Sequence, residues 1–160
     1  MDDDARTRAL NLWEEGTQAL LAGDVDEAID ILTRSLEVVP TAEGYTFRGW
    51  AYSFQGRFKD AIEECKKAIA TDPSFGNPYN DIGSYLVHLG EVENALPWFG
   101  KAKRAARYEP RHFPYLNVGR IHAARGEVAE AILEFTEALR LHPGDPLATA
   151  FLTQLQYKVN

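Results

Sequence analysis

The chain has 160 residues, a formal net charge of −7, and 45% hydrophobic against 26% charged residues. This is a globular composition with enough chain for one buried core, and it lacks the basic surface a general nucleic-acid binder needs. One cysteine gives neither an internal disulfide nor a multi-cysteine zinc site. The acidic start Met1-Asp2-Asp3-Asp4 is unlike a signal peptide, and no apolar run reaches membrane-spanning length, so a cytoplasmic protein without membrane insertion is expected.

The first helix is expected over roughly 9–22, behind the polar run Asp2, Asp3, Asp4, Arg6 and Arg8, and it ends at Gly23. Asp24 opens a second, roughly 24–38, and Pro40 stops it. The pair recurs over roughly 42–55 and 58–71 around Gly56, with Pro73 behind it. It recurs again over roughly 76–89 and 92–107 around Gly90, and over roughly 112–125 and 128–141 around Gly126, with Pro143 behind. Asp145-Pro146 starts a ninth helix, roughly 146–157, with an Asp cap and Pro at its first position. Leu147, Phe151 and Leu155 form its apolar stripe, opposite Thr149, Gln154 and Lys158.

Three columns carry this periodicity in identical steps. They are Gly16, Gly49, Gly83 and Gly119; Gly23, Gly56, Gly90 and Gly126; and Ala28, Ala61, Ala95 and Ala131. Two looser columns are Leu32, Cys65, Phe99 and Phe135, mostly large and apolar, and Ser35, Ala68, Ala102 and Ala138, all small. Gly119 and Ala131 each fall mid-helix, where a minimal side chain lets antiparallel helices approach. Gly126 falls at a helix end, where a left-handed residue is needed. Two departures stand out. Pro97 lies early enough in its helix to cause little kink. The stretch from Ala102 to Tyr115 is two residues long for the repeat and displaces Pro110, so either the sixth helix is longer or the loop bulges.

These columns resemble the tetratricopeptide repeat (TPR) pattern, which has a large residue at position 4, Gly or Ala at 8, large at 11, Ala at 20, aromatic at 24, Ala at 27 and Pro at 32. The fourth repeat supplies Tyr115, Gly119, His122, Ala131, Phe135, Ala138 and Pro143, and the first, weakest one supplies Leu12, Gly16, Ala19, Ala28, Leu32, Ser35 and Pro40. The resemblance implies an all-α, right-handed α-solenoid of antiparallel helix pairs, a TPR superhelix of about nine helices. Its single domain would span 1–160, with repeats at about 9–41, 42–75, 76–111 and 112–144 and a C-terminal capping helix at 145–160. High Arg and Ala content leans towards a bacterial source.

Catalytic signatures are absent. There is no phosphate-binding glycine loop, no HExxH and no GxSxG elbow, and no two of His88, His112, His122 and His142 stand at i, i+4. Cys65 takes an apolar column position, which makes it a core residue rather than a nucleophile. No enzyme activity, metal or cofactor is expected.

The resemblance also implies that first helices line a concave groove that binds a partner protein or peptide segment. The corresponding positions hold Trp13, Thr17, Phe47, Trp50, Phe54, Asn77, Asn80, Asp81, Ser84, His88, Asn117 and Arg120. The rings Trp13, Phe47, Trp50 and Phe54 exceed what the helix-pair core needs, and read as an apolar docking patch. The alternative is that they pack between neighbouring first helices, Phe54 above all. The asparagines suit an extended backbone, and Arg120 a carboxylate. Truncating Trp50 or Asn80 is expected to weaken binding without changing the melt. The residues in the positions of the family's carboxylate clamp do not make one, so chaperone C-termini are not the expected ligand. Lys101, Lys103, Arg104, Arg107 and Arg111 against Glu109 form a basic patch of net +4, a second docking surface or simply a helix C-terminus suited to its dipole. The reading is an interaction scaffold. Self-assembly into a homo-oligomer is one alternative. A pilus- or envelope-assembly factor is another, since Asn80-Asp81-Ile82-Gly83 and Asn117-Val118-Gly119 resemble type IV pilus assembly TPR proteins.

Overall fold

A computed structural model describes residues 3–159, with the side chains of Lys158 and Val159 outside the described set. The described residues form nine helices: α1 Asp3–Leu21, α2 Val25–Val38, α3 Ala42–Phe54, α4 Phe58–Thr71, α5 Asn77–His88, α6 Val92–Arg104, α7 Phe113–Ala124, α8 Val128–Leu141 and α9 Pro146–Val159. α1 starts six residues before the expected 9. The acidic Asp3 and Asp4 suit its first turn, the Thr7 hydroxyl donates to the Asp3 carbonyl, and Arg8 pairs with Asp4 one turn back. From Asp3 onward the polar preface is therefore helix, and Asp2 lies outside the described residues. No helix among the described residues is long and apolar enough to cross a membrane.

Each turn between paired helices closes in one way. Gly23, Gly56, Gly90 and Gly126 hold φ between +74° and +89°, a region open to glycine at little cost. The amide after each donates to the carbonyl five residues earlier: Asp24 to Ala19, Arg57 to Tyr52, Glu91 to Leu86 and Glu127 to His122, at 2.8–3.0 Å. Asp24 and Glu91 stand at the N-caps of α2 and α6, but their side chains make no capping bond. α9 does have one, from the Ala148 amide to Asp145 Oδ1 at 2.9 Å.

The spine is built from the repeat columns. Ala28, Ala61, Ala95 and Ala131, then Leu32, Cys65, Phe99 and Phe135, then Ser35, Ala68, Ala102 and Ala138 are all 0% exposed. Three of the four column glycines, Gly16, Gly83 and Gly119, take their neighbour at a distance no side chain would allow. A Cβ on Gly83 would lie 2.5 Å from the Phe99 ring, and one on Gly119 would lie 2.8 Å from Phe135. The close approach at Gly119 is thus to the ring at Phe135, one helical turn beyond the expected Ala131. In the second repeat, where Cys65 replaces the ring, a Cβ on Gly49 would instead meet the Ala61 carbonyl oxygen at 3.0 Å. α9 closes the stack, laying Phe151 on Phe135 with centroids 4.7 Å apart and burying Leu155.

α6 runs through Pro97 to Arg104, so the two extra residues fall in the following loop. That loop is stitched to the 72–76 turn. The Gly76 amide donates to the Arg107 carbonyl and the Arg107 amide to the Ser74 carbonyl, both at 2.9 Å. Tyr108 lies buried against Gly76, which has no Cβ to obstruct it.

Candidate functional site

First helices touch in series, α1 to α3, α3 to α5 and α5 to α7, and no comparable contact joins successive second helices. The inner wall is therefore made of first-helix side chains. At its N-terminal end the aromatic rings pack on one another. Trp13 meets Phe47 edge-on at 5.3 Å, Phe47 meets Trp50 edge-on at 5.8 Å, and Trp50 lies tilted against Phe54 at 5.3 Å. The rings are core and surface at once. Trp50 packs on Leu20, Ala28 and Ala51, whereas Phe54, expected to be the most buried of the set, is 57% exposed at the last residue of α3.

Ten of the twelve expected groove residues line one continuous depression. A cavity of about 390 Å³ lies among Phe47, Trp50, Asn77, Asn80 and Asp81. A second, about 300 Å³, shares Trp50, Asn80 and Asp81 and adds Phe54, Ser84 and His88. A third, about 460 Å³, continues from Ser84 and His88 to Asn117 and Arg120. A fourth, about 310 Å³, runs from Arg120 to Phe151 and Leu155 on α9. Trp13 and Thr17 line none of them; the Thr17 hydroxyl donates to the Trp13 carbonyl at 2.8 Å.

The polar groups differ in how far they are satisfied. Asn80 is buried and its Oδ1 accepts from Asn117 Nδ2 at 3.0 Å. His88 stacks on Phe58, rings 4.9 Å apart and 4° from parallel. Arg120 is exposed and has no ion-pair partner among the described residues. Asp81 has no hydrogen-bond or ion-pair partner there either, and burial pushes its carboxyl up to about 7. Burial raises the hydroxyls of Tyr85 and Tyr108 as well, and the nearby Asp81 charge adds to this. Trp50 packs on the core and Asn80 bonds to Asn117, so truncating either residue removes fold contacts as well as groove surface, and an unchanged melt is no longer the expected outcome.

Two residues in the wall of the 390 Å³ cavity escaped the sequence reading. Tyr108 and Pro110 line the 390 Å³ cavity from the 105–112 loop, beside Phe113 at the start of α7. The displaced Pro110 and the two-residue excess were the signal, since extra chain at a repeat joint has to go somewhere.

The basic patch is dispersed. Lys103 pairs with Glu134 at 2.7 Å and lies over the Tyr115 ring. Arg107 bridges Asp72 at 2.7 Å and Glu43 at 3.2 Å, over Phe75. Arg111 donates to the Lys103 carbonyl at 3.0 Å, and Lys101 lies over Trp98. Lys101, Lys103 and Arg104 fill the last turn of α6, where cations suit the helix dipole.

One cluster could hold a metal. Among the described residues, His112 at the start of α7 meets His142 and Asp145 of the α8–α9 joint, with ligand atoms within 4.8 Å of one another. Local spacing could not find it. Asp145 Oδ1 already caps α9, Oδ2 lies 3.6 Å from His112 Nε2, and the imidazoles stack at 4.3 Å. Burial and the neighbouring His142 hold His112 below the usual histidine range.

Family models described as tetratricopeptide repeat match residues 42–75 and 115–146. The type IV pilus assembly protein PilF of Pseudomonas aeruginosa is 26% identical over 157 residues, covering 98% of this chain and 61% of that protein. The heat shock protein STI1 of Saccharomyces cerevisiae is 30% identical over 91 residues, 56% of this chain and 15% of that protein. This chain thus spans less than two thirds of either relative. A solved structure of P. aeruginosa PilF superposes with a TM-score of 0.87 at 25% identity, over 98% of this chain and 70% of that one. A structure of PilW, a type IV pilus biogenesis factor, shares the fold at a TM-score of 0.81 and 19% identity, over 94% of this chain and 69% of that one. Glycine turns, buried columns, stacked helix pairs and two matched repeats agree: the chain is a tetratricopeptide repeat protein.

Proposed function

We propose that this single-domain chain is a non-catalytic interaction module of a bacterial cytoplasm that holds an extended segment of a partner protein in its groove. Aromatic anchors on α3 would bury the segment's apolar side chains, while Asn80, Asn117 and Arg120 would meet its backbone and charged groups. The observation that carries this is continuity. Four cavities share residues end to end along α3, α5, α7 and α9, which suits an extended chain rather than one compact molecule.

Display of unstructured peptide segments against the full chain tests it. Phe54→Ala with Arg120→Ala removes two exposed groove side chains and leaves the spine alone. Segments that bind the wild type and are lost from the double variant support the groove. An identical set of captured segments would refute it.

A second reading has one observation in its favour, the likeness to PilF over 98% of this chain. Under it, the partner segment belongs to a pilus-assembly component. Deleting the gene in the organism of origin and finding surface pili unchanged would end that reading.

A further inference from the structure

The cavity at the aromatic end of the groove holds an acidic side chain and, among the described residues, no basic one. Asn77 and Asp81 both line it and stand at i and i+4 on α5, so they share a helix face about 5–6 Å apart at Cβ. The Asn77 carbonyl oxygen is buried with no partner. The half-buried Asp81 carboxylate has none among the described residues, and it also faces the adjoining cavity lined by Ser84 and His88. No lysine or arginine among the described residues lines either cavity. A buried acceptor left unpaired is costly, and an unpaired carboxylate more so, unless something that enters the cavity supplies donors. Four of the remaining lining residues are aromatic, Phe47, Trp50, Tyr108 and Phe113, and the face of an aromatic ring attracts a cation.

We propose that this cavity is an arginine-recognition pocket, in which a guanidinium from the partner segment meets Asp81 and Asn77 at its edge and the aromatic walls with its face. This rests on the groove reading above and adds the chemistry of one anchor. A planar guanidinium offers donors on two edges and stacks on rings, so arginine suits the site better than lysine. The net charge of −7 favours approach of a basic segment. The ionisable groups around Asp81 are Cys65 on α4, Tyr85 and His88 on α5 and Tyr108 in the 105–112 loop. Burial pushes the thiol and both phenols up, so they stay neutral near pH 7. Of these shifted groups, only Asp81 changes charge near pH 7. A bound cation favours the ionised carboxylate, so affinity rises with pH through the Asp81 transition at about 7.

The test titrates the full chain, followed by NMR at the Trp50 indole and the Asn77 side-chain amide, with N-acetyl-arginine-methylamide and its lysine, citrulline and glutamate counterparts. Citrulline keeps the shape of arginine and removes its charge, so the comparison needs no protein variant. Arginine is expected to bind about tenfold more tightly than citrulline, the size of one charge-assisted hydrogen bond. Asp81→Asn should reduce arginine to the citrulline level. Arginine affinity should rise from about pH 5.5 to about pH 8 in the wild type and in His88→Gln, and stay flat in Asp81→Asn. Equal binding of citrulline, preference for glutamate, or no shift at either reporter with arginine would overturn the pocket. Displayed segments that are lost from the Phe54 and Arg120 double variant but kept by Asp81→Asn would overturn it while leaving the groove reading intact. Segments kept by both variants would take the groove reading as well.

Discussion

The second and fourth repeats set different chemistry on one frame. Phe47, Trp50 and Phe54 on α3 occupy the positions that Asn117, Arg120 and Ala124 occupy on α7. Beneath them the glycine and alanine columns are the same, Gly49 with Ala61 and Gly119 with Ala131. The third spine position differs. Phe135 lies under Gly119, whereas in the second repeat the smaller Cys65 leaves the Ala61 backbone as the nearest neighbour of Gly49. The comparison separates two kinds of position: columns that fix how closely helices approach, and groove positions that the spine leaves free to carry a ligand's chemistry.

The sharpest way to break that comparison is at the differing spine position. Phe135→Ala deletes a fully buried ring that also stacks on Phe151 of α9, and it should cost about 3–5 kcal/mol. Cys65→Ala deletes only a sulfur and should cost about 1 kcal/mol. Urea unfolding of the two variants measures both. Equal losses would mean that the repeats close in the same way after all.

The next effect tests the groove end nearest the second repeat. Burial raises the Asp81 carboxyl to about 7 in the folded chain, against 3.8 when unfolded. Between those values the unfolded chain ionises and the folded chain does not, so Asp81 costs stability increasingly as pH rises from about 4 to about 7. Asp81→Asn should therefore be more stable than wild type above pH 7, by on the order of a few kcal/mol, and nearly equal to it at about pH 4. Denaturation at the two pH values checks this; a gain that ignores pH would show that the carboxyl is solvated.

Smaller again is a pair of opposite sign. Gly119→Ala gains helix propensity but drives a methyl to 2.8 Å from the Phe135 ring, for a net loss of about 1–3 kcal/mol. Gly100→Ala on α6 meets only the flexible Arg104 side chain at 3.4 Å and should gain about 0.5–1 kcal/mol. If melting temperatures moved the same way, the glycine columns would not be set by close approach.

The spine was legible because each column residue has one reason to be what it is, and the reason recurs every repeat. Gly126 needs a positive φ, Ala131 a minimal side chain, and Phe135 a filled gap, and none depends on distant sequence. The groove list was legible only through helix position. Sequence places Trp50 and Asn80 on the inner wall, but the core contact of Trp50 and the bond from Asn117 to Asn80 join separate repeats and have no local signature. Tyr108 and Pro110 lay further out of reach, since their place in the wall depends on how a two-residue excess folds onto the 72–76 turn. The approach of His112 to His142 and Asp145 in the α8–α9 joint has no local spacing signature for the same reason.

That loop is where the two halves of the groove are joined, and it supports the smallest prediction. Asp72 accepts from the Ser74 hydroxyl at 2.6 Å and from Arg107 at 2.7 Å, which together hold its carboxyl down at about 2. The folded value lies below the unfolded one, so the contribution is present above about pH 4 and fades as pH falls towards 2. Arg107 is about half exposed, so water screens the pair, and Arg107→Ala should cost less than about 1 kcal/mol near neutral pH. At about pH 2 most of that difference should be gone. The pair lies next to Tyr108, whose backbone follows the residue that bridges Phe75, so a larger loss would have a definite meaning. It would show that the 105–112 loop, with the cavity wall it supplies, is held in place by this joint rather than by the burial of Tyr108 against Gly76.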